Sequence, residues 1–422
     1  MNNTNNQNKI IVVGGGFGGI RAALALAKKR LPNITITLIT NKPHFEYNPA
    51  LYRYVTGNSA IEVCIPLEEI FAGHAVEVVQ DSITALDKGA KSIAGNSGKT
   101  YTYDVLIMAL GSETTYFGIP GLKENSYGMK TVAEALRLKN HITEVLLLCR
   151  EDAAAGSHLN HDAAFVVIGA GATGVEMAGR LIEYARKVAL EIGVDPSLVS
   201  VTMIEAAPKI LQILPQQFTD PIDAHLRKLG VSIMLNTAVM RQDVEEIFLK
   251  DVEMMTSTVI WTSGVRANAF YETAGLPVDK RGKVEVDEHM NVKGEDAIYV
   301  IGDGAITTYS GWAQTAFYDG NFVANVIASK LAGHRMPVYK PQAPVNAIPA
   351  GDGWAGVLIT WFGLNIRFYG WIGWWFRRMA DLRSFMVILP LMKAFQIFFG
   401  GCISEKCEVC IEKDNPTHDG NG

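Results

Sequence analysis

Gly14, Gly16 and Gly19 follow the apolar run 10–13 and open an alanine-rich stretch, which is the spacing GxGxxG on a strand, a turn and a helix. Each position has its own task. The first glycine permits the tight turn, the second lets the backbone approach a pyrophosphate, and the third lets helix and strand pack closely. Phosphates would sit on the helix N-terminus, where unpaired N–H groups and the helix dipole favour negative charge. Phe17 and Gly18 lie inside the same turn. A plain βα turn without a ligand would use similar glycines. The pattern returns at Gly169, Gly171 and Gly174, with Thr173 inside it, again after an apolar run and before a helix. Repetition of the whole device is harder to reach by chance than one motif, so two nucleotide sites are expected.

The strand ends carry the next information. The run 34–39 lacks the usual acid at its end, and Thr40 and Asn41 stand there instead. They can hydrogen-bond a ribose hydroxyl more weakly than a carboxylate does, or act as turn formers before Pro43. The second unit supplies the acid, because the run 200–204 ends at Glu205. A carboxylate there would accept from an adenosine ribose and repel the extra phosphate of NADP, which predicts NADH over NADPH; a surface glutamate at a strand end is the plainer alternative. The run 104–110 leads to Gly111 at a ligand edge, and 258–264 runs into Gly264. Residues 297–303 end in Gly302 and Asp303, which would project a carboxylate at the C-terminal edge of a sheet, where open α/β folds bind ligands.

These positions imply an α/β protein with two Rossmann-like dinucleotide-binding domains, the second inserted in the first. Residues 1–118 and 295–345 would form one and 119–294 the other, with 131–150 helical, 151–161 a linker loop, and 312–331 a helix bearing Gln314 at its start. At 422 residues and 48% hydrophobic content, the chain can build several cores. A formal charge of −5 and a pI near 6 give no general basic field, so nucleic acid is not an expected partner. The polar start has neither the charged nor the apolar region of a secretory signal.

Cysteine usage excludes some chemistry. Cys64, Cys149, Cys402, Cys407 and Cys410 do not form a disulfide framework, and no CxxxxC pair stands beside the first helix. Cys402 and Cys407 have that spacing but belong, with Cys410, to a polar tail at 401–422 that reads as thiol-bearing and not as a metal site. The stretch 354–400 is rich in tryptophan and phenylalanine and carries Arg377, Arg378, Arg383 and Lys393. Charges and Pro390 break its apolar runs below the about twenty residues needed to span a bilayer. Residues 346–400 are therefore expected to form an amphipathic membrane-anchoring segment on the cytoplasmic face of the cell membrane. Its aromatic side chains would lie at the lipid surface and its cations against anionic headgroups. A buried homodimer interface has the same composition, and the two roles can coexist.

The pairing of GGGFGG with GAGATG, and the stretches YDVLIMALGSETTYFGIPG, WTSGVRAN and IGDGA, resemble the two-dinucleotide-domain flavoproteins, glutathione-reductase-like in fold. Among them the chain resembles type II NADH dehydrogenases over about residues 10–400. The resemblance implies a non-proton-pumping flavoenzyme that passes a hydride from NADH to FAD and two electrons on to a quinone. It places FAD on Gly14, Gly16 and Gly19 with Asp303 on its ribityl chain, and NADH on Gly169, Gly171 and Gly174 with Glu205 on its ribose. Glu176 matches the family glutamate near flavin and nicotinamide, although the helix dipole alone would also favour a carboxylate there. The family pattern AQxAxQ is met with Gln314 in the first glutamine's place and Tyr318 in the second's. Tyr318 keeps a hydrogen-bonding group for quinone, or simply packs the helix. Sulfide:quinone oxidoreductases share the fold and need cysteines near the flavin, for which Cys149 is the candidate. A non-catalytic NAD(H)-responsive flavin-binding membrane scaffold is the alternative from another class.

Overall fold

Each glycine turn leaves the central strand of a five-stranded, all-parallel sheet. The computed structural model describes residues 7–155, 163–250, 252–361 and 364–403. The first sheet runs Ile298–Val300, Val105–Met108, Asn8–Val13, Ile34–Thr40, Glu77–Gln80. The second runs Ser126–Tyr127, Thr258–Trp261, Ala163–Ile168, Val199–Ile204, Val231–Met234. Neighbours in both are parallel, and the central strands are buried through Ile10–Val13 and Phe165–Ile168, as a sheet covered on both faces requires.

The first sheet is completed only by Ile298–Val300, a strand that follows the whole second sheet in chain order. The chain passes between the two through Ser112–Thr114 and Val265–Ala267, which pair antiparallel with Glu113 opposite Arg266. Helix Phe17–Lys29 crosses helix Ala313–Leu331 closely because Gly18 and Gly320 meet there: a Cβ on Gly320 would lie 2.4 Å from the Gly18 carbonyl oxygen.

Two expectations need correction. Helix Val132–Ala155 continues through the stretch expected to begin a linker, carried by the good helix formers Ala153, Ala154 and Ala155; residues 156–161 lie outside the described residues. The C-terminal stretch, expected as one amphipathic segment, holds a sheet as well as helices. It opens as an antiparallel sheet of Asn346–Pro349, Ala355–Trp361 and Leu364–Phe368, followed by helices Trp371–Ile388 and Leu391–Phe398, with Pro390 at the boundary. Among the described residues no helix is long and apolar enough to cross a membrane.

This third unit braces both nucleotide domains. Its sheet approaches helix Ala172–Glu191 at Gly179, where a Cβ would come 2.7 Å from the Gly351 nitrogen, and Trp354 stacks on His225 with ring centroids 4.1 Å apart. Its helices lie against Arg53, Glu62 and Glu69 of the first domain.

Candidate nucleotide sites and their junction

The two turns are built alike. Gly14 has φ +113° and a Cβ there would stand 2.3 Å from the Ala109 carbonyl oxygen; a Cβ on Gly19 would stand 1.9 Å from the Gly14 carbonyl oxygen. Gly169 has φ +102°, and a Cβ on Gly174 would stand 1.8 Å from the Gly169 carbonyl oxygen. By contrast, a Cβ on Gly16 or Gly171 would meet nothing within 4 Å. Turn, close packing and open approach thus fall on the first, third and second glycines. Gly16 and Gly171 begin their helices without a side-chain cap, so the first N–H groups remain for an anion. Both cradles fit the diphosphate of a dinucleotide.

Gly14 N–H donates to the Ile39 carbonyl and Gly169 N–H to the Ile204 carbonyl, each at 2.8 Å, which makes Thr40 the counterpart of Glu205. The Glu205 carboxylate accepts from the N–H groups of Ala170 and Ala207, both at 2.8 Å, and is held at the rim of its turn. Thr40 is buried under the first turn, where a Cβ on Gly15 would come 2.7 Å from its hydroxyl. Asn41 is exposed beside it, its carbonyl accepting from the Gln80 amide.

Asp303 sits in the turn that follows Ile298–Val300, at the C-terminal edge of the first sheet. The Ser112 hydroxyl donates to it at 2.6 Å and accepts from the Lys130 ammonium at 2.8 Å, with Lys130 itself 3.9 Å from the carboxylate. Gly111, at φ +70°, and Gly264, at φ +92°, immediately precede the two crossover strands. Ser112 follows directly on Gly111, which the sequence placed at a strand end; Lys130, distant in sequence, carried no signal. Phe17 turns its ring inward against Phe45, Tyr47 and Phe317, so only its backbone lines the turn. Gly18 serves the helix crossing, where a Cβ would come 3.1 Å from Ile301, and Thr173 is exposed on the first turn of its helix.

Glu176 lies half-buried on the helix that leaves the second turn, facing the junction of the domains. Burial pushes its carboxyl up to about 7; Arg377 and Arg53 pull against this and Asp381 adds to it. Those neighbours form a buried cluster that sequence reading missed. Arg53 donates to Glu62 at 2.7 Å and to Asp381 at 2.9 Å. Asp381, fully buried, also accepts from Arg377 and from the Tyr47 hydroxyl at 2.8 Å. Arg377 reaches the Pro49 carbonyl at 2.8 Å, and Arg378 pairs with Glu62 at 3.0 Å. Burial pushes Asp381 up, but the guanidinium groups hold it below the usual carboxylate range.

Of the cations expected against lipid, Arg377 and Arg378 therefore serve this cluster and Lys393 pairs with Glu69, while Arg383 faces outward with no ion pair among the described residues. The physical reason is cost: a buried carboxylate without a cation is heavily penalised. Spacing gave one hint, since Arg377 and Asp381 are four apart on a largely apolar helix.

Gln314 donates its side-chain amide to the Val345 carbonyl at 2.9 Å and accepts from the Val345 N–H at 3.2 Å. The Tyr318 ring lies among Phe322 and Tyr339, at centroid distances of 6.4 and 5.6 Å. The structure thus gathers both along the segment 339–345. Cys64 is buried in a strand and Cys149 in helix Val132–Ala155, Cys402 is exposed, and Cys407 and Cys410 lie outside the described residues.

A family described as pyridine nucleotide-disulphide oxidoreductase matches residues 8–320. A type II NADH:quinone oxidoreductase of Staphylococcus haemolyticus is 30% identical over 363 residues, covering 82% of this chain and 89% of that protein. In structure, the chain is similar to NDH2 of Plasmodium falciparum, solved in complex with NADH, at a TM-score of 0.80 with 18% identity, covering 93% of this chain and 97% of that one. The sulfide:quinone oxidoreductase of Aquifex aeolicus follows at 0.74 and 18%, covering 96% and 95%, a likeness of fold.

Proposed function

The chain belongs to the pyridine nucleotide-disulphide oxidoreductase family, among the type II NADH:quinone oxidoreductases, and on that premise we propose that it oxidises NADH and reduces a quinone through FAD. The observation that carries the reading is the pair of equivalent cradles with unequal rims: Glu205 stands where the first cradle has Thr40. A rim carboxylate suits the ribose of NADH and repels the phosphate of NADPH, which supports NADH in the second cradle and FAD in the first. When bound, FAD accepts a hydride and yields electrons to a second substrate.

The chain's own residues supply binding and proton control. The helix start at Gly16 receives diphosphate, and Asp303, oriented by Ser112 and Lys130, accepts from ribityl hydroxyls. Glu176 holds or releases a proton close to neutral pH at the junction, where a reduced quinone requires one. On the family pattern, Gln314 and Tyr318 contact the quinone; the Val345 backbone keeps the Gln314 amide in one orientation.

The outer face of the two C-terminal helices supports docking on a membrane lipid surface. Trp371, Ile372, Trp375, Leu391, Met392 and Phe399 are exposed there, more apolar surface than a soluble face ordinarily shows. The protein would lie as a monotopic enzyme on the cytoplasmic face, and a homodimer is the other use of that surface. The test is anaerobic titration of purified protein. NADH should bleach the flavin absorbance and a short-chain quinone restore it; bleaching by sulfide and not by NADH would overturn the reading.

A further inference from the structure

Asp319 is a wholly buried carboxylate with no ion pair among the described residues. Its Oδ2 accepts from the Gly302 N–H at 3.0 Å, and its Oδ1 accepts from the Tyr339 hydroxyl at 2.6 Å. Burying such a group is costly unless it is hydrogen-bonded, and a leucine in this helix would pack without that cost. What the carboxylate holds is therefore informative. Gly302 has φ +70° and starts the turn that presents Asp303 at the sheet edge. The Ser310 hydroxyl grips the same turn from its carbonyl side, at 3.2 Å from the Gly302 oxygen. Tyr339 is itself anchored, since its N–H donates to the Glu288 carbonyl at 2.8 Å.

We propose that Asp319 is a positioning residue for the flavin site: tied by Tyr339, it fixes the Gly302–Gly304 turn and so holds the Asp303 carboxylate where it can accept from FAD. Removing it frees the Gly302 N–H inside the protein and lets the turn relax. Burial pushes the Asp319 carboxyl up to about 6 against the pull of its two donors, and the charge of Asp303 adds to the rise, consistent with two carboxylates held near each other across one turn.

This rests on FAD occupying the first cradle, and the experiment separates the two. Apoprotein is titrated with FAD, following flavin fluorescence and the FAD-induced rise in thermal midpoint. Asp319→Leu keeps the volume but removes both acceptors, and should weaken FAD binding about ten- to a hundredfold. Asp319→Asn retains an acceptor for Gly302 and should stay within about threefold, as a rescue by hydrogen bonding. Leucine and wild-type proteins binding FAD equally well would overturn the proposal, as would asparagine falling as far as leucine. Should Asp319→Leu not fold, Tyr339→Phe reads the same contact: about threefold weaker FAD is expected, and unchanged affinity refutes it. Wild-type apoprotein that takes up no FAD refutes the site assignment instead.

Discussion

At the scale of single residues, Glu176 has the sharpest consequence. Its folded value near 7 lies above the ordinary 4.5, so the ionised form is the penalised one. The associated stability is fully present below about 4.5 and is lost as pH rises through about 7. If Glu176 donates the proton, quinone reduction should fall over the same upper limb. Glu176→Gln cannot titrate, so its rate should drop by about a hundredfold and lose that limb. A pH series of flavin reoxidation by quinone measures both; an unchanged profile in the variant would remove Glu176 from the reaction. Glu205 offers a second test. Its carboxylate already accepts from Ala170 and Ala207, so it is fixed at the rim. Glu205→Gln keeps an acceptor but not the charge, and should raise relative use of NADPH by about tenfold. The ratio of kcat/KM for the two nucleotides reads this directly, and a constant ratio contradicts the assignment.

At the scale of elements, what was legible was local. Each glycine turn is specified within a short stretch by strand, turn and helix, so Gly14 to Gly19, Gly169 to Gly174 and the strand-end Asp303 could be read in order. Helix Trp371–Ile388 could not, because its pattern gave two unlike faces but not what each would meet. The partner of Asp381 is Arg53, 328 positions away, and no periodicity within the helix points to it. The same holds for Asp319, whose meaning comes from Gly302 and Tyr339 folding back on it. The Asp381 cluster also gives a stability prediction. Asp381→Leu leaves Arg53 and Arg377 buried without their shared acceptor and should cost about 3–5 kcal/mol. Urea unfolding of the holoprotein measures it, and a loss under about 1 kcal/mol would mean that the guanidinium groups find other partners.

At the scale of the molecule, the C-terminal unit is both brace and candidate docking surface, and the two roles need different tests. Removing residues 354–422 would strip away the Trp354–His225 stack and the Arg377–Asp381 pair along with the apolar face, so misfolding, not release of a soluble enzyme, is the expected result. Trp371 and Phe399 are exposed and lie outside that bracing, which makes them the cleaner targets. Trp371→Ser with Phe399→Ser should keep the flavin spectrum and reduce binding to lipid vesicles by about a hundredfold, as two large apolar side chains no longer leave water. Charge supplies the finer test. Arg377, Arg378 and Lys393 are occupied by Glu62, Asp381 and Glu69, leaving Arg383 as the outward-facing cation of the four. One surface cation adds about 1 kcal/mol on an anionic membrane, so vesicle binding should change by no more than about tenfold between neutral and anionic lipid. Binding that requires anionic lipid and collapses in salt would mean that the internal pairs open on docking, and that the basic residues face the lipid after all.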